Sequence, residues 1–136
     1  MNFIDTNILV YAYDKDEELK NPIAKRILID CWENKSGSIS TQVLQEFHFT
    51  ITAKLSKRIG ISEARELIKD FLSWQTEQIT PHDIIDATIL QERYKYSFWD
   101  SLIIVTAQKS GAEILYSEDL QDGQKIGDLV IKNPFK

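Results

Sequence analysis

Strands that alternate with helices predict an α/β domain, with a parallel sheet of about four or five strands flanked by α-helices. Three observations support this. Short runs rich in β-branched or aromatic residues, Phe3-Ile4, Ile114-Leu115-Tyr116 and Leu129-Val130-Ile131, read as buried strands. The longer stretches between them repeat apolar residues at helical spacing. Strand-like runs also end in acids or cap-forming residues, as at strand-to-helix junctions.

The first strand ends at Asp5, and Asn7 to about Tyr13 has helical spacing through Ile8, Tyr11 and Ala12. After the polar loop Asp14-Lys15-Asp16-Glu17, Asn21-Pro22 reads as an N-cap with proline at the first helical position. That helix carries Ile23, Ile27, Leu28 and Cys31 on one face and breaks near Lys35-Ser36-Gly37. Ser38-Ile39-Ser40 is short enough for a second strand. Thr41 then caps a helix with Val43, Leu44, Phe47, Ile51 and Leu55 inward and Glu46 near its start.

Ser62 is placed as the next cap, with Glu66 near the first turn and Ile68, Phe71 and Leu72 facing inward. Gln78-Ile79-Thr80 is the candidate third strand. Thr80-Pro81-His82-Asp83 has a capping-box layout, with Asp in the place of Glu or Gln, and opens a helix to about Tyr96. A last helix spans Ser97 to Ser110 and stops at Gly111, with Asp100 in its first turn. No repeat, low-complexity tract or linker divides the chain, so residues 1–136 are expected to form one domain.

Composition narrows the function. The chain is 43% hydrophobic and 27% charged, and no stretch approaches the roughly 18 apolar residues of a membrane span. Met1-Asn2-Phe3-Ile4-Asp5 lacks the basic-then-apolar layout of a secretory signal, and the single cysteine, Cys31, forms no internal disulfide. A cytoplasmic protein with no membrane partner is the expectation. A net charge of −5 and a pI near 5.0 exclude a protein that coats nucleic acid through bulk positive charge.

Four distant acids, Asp5, Glu46, Asp100 and Asp119, each fall where a strand-to-helix junction brings them to one edge of the sheet. In open α/β sheets the ligand crevice lies outside the carboxyl ends of the strands, where strand order reverses. Carboxylates there are hard oxygen ligands suited to Mg2+ or Mn2+. Two of them about 5 Å apart repel by roughly 3 kcal/mol at an effective dielectric of about 20, so either protons or a divalent ion must hold the group together. With phosphate present, such an ion supports in-line hydrolysis. The four acids supply four of the five net negative charges, so the remainder is nearly neutral and a weakly acidic metal nuclease is admissible.

Other chemistries find little support. His48, His82 and Cys31 provide no zinc-spaced cluster, and neither a glycine-rich phosphate loop nor a nucleophile elbow occurs. Taken singly, each acid also has a structural reading: a turn former after a strand, a first-turn acid facing the helix dipole, or a solvated charge. Their conjunction argues for a site.

Four segments make the pattern specific: Phe3-Ile4-Asp5-Thr6-Asn7-Ile8-Leu9, Gln42-Val43-Leu44-Gln45-Glu46-Phe47, Phe98-Trp99-Asp100-Ser101-Leu102-Ile103, and Leu115-Tyr116-Ser117-Glu118-Asp119-Leu120. In their order and in spanning nearly the whole chain, they resemble a PIN domain, most closely a VapC-like ribonuclease toxin of a bacterial toxin–antitoxin pair. The resemblance implies a parallel sheet flanked by helices, a Mg2+ or Mn2+ site and endonucleolytic cleavage of RNA. Asp5, Glu46, Asp100 and Asp119 match the family's acidic quartet, which binds metal and activates water. Thr6, Asn7 and Ser117 match positions whose polar side chains orient the acids or metal waters. Ser117 stands where threonine is more usual and keeps the hydroxyl. Asp122 is a candidate fifth, outer-sphere acid, with a solvated turn before Gly123 as its other reading. A homodimer and a cognate antitoxin, its peptide lying along the middle helices, are the implied partners.

Two rivals remain at this stage. A phosphoryl-accepting signalling receiver needs an acceptor Asp after a mid-chain strand and a nearby Lys, and only Lys132 before Asn133-Pro134 offers a loose match. A non-catalytic PIN-like binding module conflicts with the retention of all four acids. Lys54, Lys57 and Arg58 fall at helical spacing and read as a solvated face rather than a phosphate contact. Trp99 is assigned to core packing rather than to stacking on a base. Phe47, Phe49, Phe71 and Trp74 suggest an exposed apolar groove for a partner.

Overall fold

Twelve elements and one short 3-10 turn make up the computed structural model, which describes all 136 residues. In chain order they are β1 (Asn2–Ile4), α1 (Thr6–Tyr13), α2 (Lys20–Asn34), β2 (Gly37–Ser40), α3 (Thr41–Ala53), α4 (Ile61–Asp70) and, after the turn Phe71–Ser73, β3 (Gln75–Glu77). There follow α5 (Pro81–Tyr94), α6 (Phe98–Lys109), β4 (Ile114–Tyr116), β5 (Lys125–Ile126) and β6 (Leu129–Lys132). The strands form one sheet in the order β3-β2-β1-β4-β6-β5, parallel throughout except for the β5–β6 pair. β1 is central, with Asn2 opposite Gly37 of β2 on one side and Ile114 of β4 on the other. Phe3 and Ile4 are fully buried. The parallel α/β architecture expected from the sequence is thus the observed one, flanked by helices.

Several details differ. The third strand lies three residues earlier than expected, at Gln75–Glu77, pairing Ser38 with Gln75 and Ser40 with Glu77. It is an edge strand, so it needs no apolar run, and the buried residue that anchors it is the preceding Trp74. β5 was not anticipated: it is a two-residue strand joined to β6 by Gly127-Asp128, with Gly127 at φ 60°. Gly-Asp between two apolar residues is a hairpin signal that marks this turn.

Helix caps shift by one or two residues. Ser40, the last residue of β2, accepts from the Val43 N–H at 3.3 Å, so strand runs into α3 without a loop and Thr41 is not the cap. Gly60, not Ser62, precedes α4. Asn21 lies inside α2, which begins at Lys20; its amide donates to the Tyr11 carbonyl at 2.8 Å, satisfying an end group of α1 instead of capping its own helix. The Thr80–Asp83 capping box and the Ser97 cap form as expected, and Gly111 adopts φ 80°. Leu72, expected inward, is exposed in the 3-10 turn.

The aromatic residues expected to line a groove mostly belong to the core. Phe47, Phe71 and Trp74 are buried and pack with Trp32, ring centroids lying 4.9 to 6.0 Å apart; only Phe49 of the four is exposed. Gly37 is required beneath this cluster because a Cβ there would lie 2.5 Å from the Trp74 ring. α6, buried continuously from Ser101 to Ala107, packs against α5 and β2 and fixes where its first turn points. Lys54, Lys57 and Arg58 follow the end of α3 and are not on a helix.

Candidate active site

Strand order reverses between β1 and β4, and the residues following these two strands, Asp5 and Ser117, meet there. The Asp5 N–H donates to the Tyr116 carbonyl at 3.0 Å, extending the ladder by one residue and fixing the side chain at the sheet edge. Asp5 also caps α1: Oδ1 accepts from the Thr6 N–H at 2.7 Å while Oδ2 accepts from the Ser117 hydroxyl at 2.7 Å. One residue thus ends the strand and starts the helix.

The other acids arrive on separate elements. Glu46 stands in the second turn of α3 and accepts from the Thr6 hydroxyl at 2.8 Å. Asp100 is the third residue of α6, its N–H donating to the Ser97 hydroxyl at 3.1 Å. Asp119 follows β4 on a loop; it accepts from the Asn7 amide at 2.9 Å, and its N–H donates to the Ser117 hydroxyl at 3.2 Å. Asn7 closes the ring, its side-chain oxygen Oδ1 accepting from the Glu118 N–H at 3.3 Å.

All four acids, together with Thr6 and Asn7, line one cavity of about 530 Å³. Asp5 is buried, Glu46 and Asp100 are half-buried and Asp119 is exposed. Ser117 lies fully buried behind Asp5. Asp122 is not part of this lining: it accepts from the Asn133 N–H at 2.8 Å and holds the loop before β6.

The electrostatics follow from this arrangement. Burial pushes Asp5 up from 3.8 to about 7; the charges of Glu46 and Asp119 push the same way, while the Ser117 and Thr6 hydrogen bonds oppose them. Asp100 is also raised, mainly by burial, with Asp119 and Glu46 adding repulsion against a hydrogen bond from Ser97. An added divalent cation would relieve this penalty, and the donors are all hard oxygens. No three or more acids are grouped tightly enough to enclose a metal by themselves. Such an arrangement fits Mg2+ or Mn2+, which take one or two carboxylates and keep waters, better than a closed protein cage.

Four further residues were not singled out from the sequence. Tyr11, one helical turn beyond Asn7, lines the cavity and donates its hydroxyl to Glu118 at 3.0 Å. Lys20 pairs with Glu118 at 3.0 Å and lies 4.9 Å from the Tyr11 ring centroid. Both brace the loop that carries Asp119. Gln42, nearly buried, lines the cavity and donates to the Trp99 carbonyl at 3.3 Å. Spacing along α1 and adjacency to Asp119 are signals for Tyr11 and Glu118; Lys20 has none, because it meets Glu118 across 98 residues of sequence. Trp99, assigned to the core from sequence, is 62% exposed and lines the cavity. The mid-chain strands end in Ser40 and Glu77, so neither ends in the aspartate that a receiver domain requires.

No curated protein matches the chain. Among solved structures, a toxin–antitoxin complex from Klebsiella pneumoniae is similar over 98% of each chain, with a TM-score of 0.69 at 20% identity. A sarcin–ricin loop cleaving VapC toxin of Mycobacterium tuberculosis is similar over 88% of this chain and 90% of its own, with a TM-score of 0.66 at 21% identity. A VapBC complex of Rickettsia felis bound to a promoter DNA fragment is similar over 97% of each chain, with a TM-score of 0.67 at 20% identity. These likenesses show the fold. The family model described as PIN domain matches residues 3–122, which carry all four acids and the hydroxyl and amide groups that hold them, and the chain therefore belongs to the PIN domain family.

Proposed function

We propose that the chain is a Mg2+- or Mn2+-dependent endoribonuclease and the toxin of a toxin–antitoxin pair. The observation that carries this reading is the arrival of Asp5, Glu46, Asp100 and Asp119 from four separate elements in one cavity, three of them held by side-chain donors. Asp5, Glu46, Asp100 and Asp119 would hold a divalent ion, which when bound would supply positive charge beside a phosphate open to in-line attack. The chain's own groups set the stage. Ser117 and the Thr6 N–H orient Asp5, the Thr6 hydroxyl orients Glu46, and Asn7 orients Asp119, so little reorganisation is needed when substrate enters. Water adds to phosphorus, the P–O3′ bond breaks, and the products carry a 5′-phosphate and a 3′-hydroxyl, the water's proton passing to solvent and the leaving oxygen taking up another.

An antitoxin and a second copy of the chain are the proposed protein partners. Support comes from α5, where Ile84, Ile85 and Ile89 are 43%, 55% and 51% exposed. No helix is long and apolar enough to cross a membrane.

The deciding experiment digests end-labelled RNA with and without Mg2+ or Mn2+, comparing wild type with Asp100→Asn. Cleavage that needs the ion, leaves 5′-phosphates and is lost in Asp100→Asn is expected. Cleavage by wild type in chelator, or full activity of Asp100→Asn, would refute the reading.

A further inference from the structure

The acids that make the cavity also repel its proposed substrate. Five carboxylates line it, the four already described and Asp14, against one cation, Lys54. Phosphate neutralisation by basic residues, the usual source of nucleic-acid affinity, is therefore nearly missing at this place. Beyond what a bound divalent ion would contribute, binding is left to draw on contacts that do not depend on charge.

Two exposed aromatic side chains lie where that contribution is needed. Trp99 immediately precedes Asp100, and Phe49 stands one helical turn beyond Glu46 on α3; both line the cavity. They are 62% and 56% exposed, whereas Trp74 and most of the chain's phenylalanines are buried or half-buried. Each aromatic thus accompanies one acid. Trp99 is also held in place: its carbonyl accepts from the nearly buried Gln42 amide, and its ring packs edge-on against Phe98 with centroids 5.1 Å apart. Lys54 lies 5.3 Å from the Phe49 ring centroid, so the single cation and one platform share a spot. Aromatic faces fixed beside a phosphate-handling site are suited to unpaired bases, every one of which offers a π face; paired bases, stacked inside a duplex, do not.

We propose that Trp99 and Phe49 are stacking platforms for unpaired bases of the RNA strand entering the acidic cavity. This rests on the reading of the site as a ribonuclease and adds to it the residues that hold the substrate's bases.

The test is a fluorescence titration in Mg2+ on an Asp5→Asn background, which keeps the RNA intact. The probe is an oligoribonucleotide of about 20 nucleotides, used single-stranded and annealed to its complement. The single strand should quench tryptophan emission and bind at least about tenfold more tightly than the duplex. Trp99→Ala should weaken single-strand binding by roughly tenfold to a hundredfold, and Phe49→Ala by a smaller factor. Trp99→Phe should keep affinity within about threefold while removing most of the quenching, a signature that a structural role would not give. Both side chains are largely exposed, so melting temperatures should stay near that of the parent. In the otherwise wild-type enzyme, Trp99→Ala should raise KM and leave kcat within about twofold.

Unchanged affinity in both alanine variants, or equal binding of single strand and duplex, would overturn the proposal even if wild type cuts RNA. The same holds if Trp99→Ala leaves RNA binding intact but weakens a co-expressed antitoxin, for then the aromatics serve a protein partner. Quenching and selective binding by a protein that cuts no RNA would keep the platforms and refute the nuclease reading instead.

Discussion

Replacing Asp5 with asparagine should make the metal-free protein more stable, although it removes the residue at the centre of the site. The carboxyl is raised from 3.8 to about 7, chiefly by burial. In linkage terms the folded chain holds a proton that the unfolded chain releases, so stability is highest at low pH and falls as pH rises from about 4 to about 7. The whole shift corresponds to roughly 4 kcal/mol, of which about 3 kcal/mol is lost between pH 5 and pH 8. Asparagine keeps the shape, its oxygen able to accept from the Thr6 N–H and its amide to donate to the Ser117 hydroxyl. Urea unfolding in chelator should show wild type losing stability from pH 5 to pH 8, while Asp5→Asn falls less and is more stable by about 2–4 kcal/mol at pH 8. Some slope should remain, because Asp100 is raised for the same reasons. Parallel curves for the two proteins, or a wild type indifferent to pH, would refute the argument that burial and neighbouring acids strain this carboxyl.

Three other outcomes follow from the geometry. Binding of Mg2+ should release protons, with apparent affinity rising up to about pH 7 and levelling above it, as calorimetric titration in buffers of different ionisation enthalpy would detect. Gly37→Ala should cost about 1–3 kcal/mol in urea unfolding, since its new Cβ meets the Trp74 ring at 2.5 Å, while cleavage per folded molecule is retained. Asp122→Ala should leave RNA cleavage unchanged, because that carboxylate serves the Asn133 N–H outside the cavity; a large loss in a digestion assay would return it to the site.

Asp5 and Asp100 were legible because they sit at element ends whose local chemistry is visible in one dimension. The strand-to-helix junction expected at all four acids holds only at Asp5: Glu46 stands in the second turn of α3, Asp100 opens a helix that follows α5, and Asp119 lies on a loop that leads to β5. Asp5 is at once a strand end and an N-cap, and Asp100 is a first-turn residue behind a serine cap, so the patterns that predict elements also predict where these side chains stand. What escaped is what depends on tertiary contact. The Lys20–Glu118 pair spans 98 positions, and β3 is an edge strand whose polar sequence resembles a loop. Trp99 and Phe71 are both large aromatics on helical stretches, yet one is exposed and the other buried; hydrophobicity alone does not separate a platform from a core residue.

The energetics of Asp5 also bear on why the residue is an acid at all. A domain of this size has a total stability of about 5–15 kcal/mol, so roughly 4 kcal/mol at one side chain is a large fraction. No lysine or arginine forms an ion pair with Asp5; its partners are the Ser117 hydroxyl and the Thr6 N–H, both of them uncharged. As a helix cap, asparagine is equivalent to aspartate. Structural duty therefore favours the neutral side chain, and the negative charge gains nothing from the fold. Under the proposed function that charge meets a divalent cation from outside the chain, which would recover the cost of burial and tie metal binding to stability.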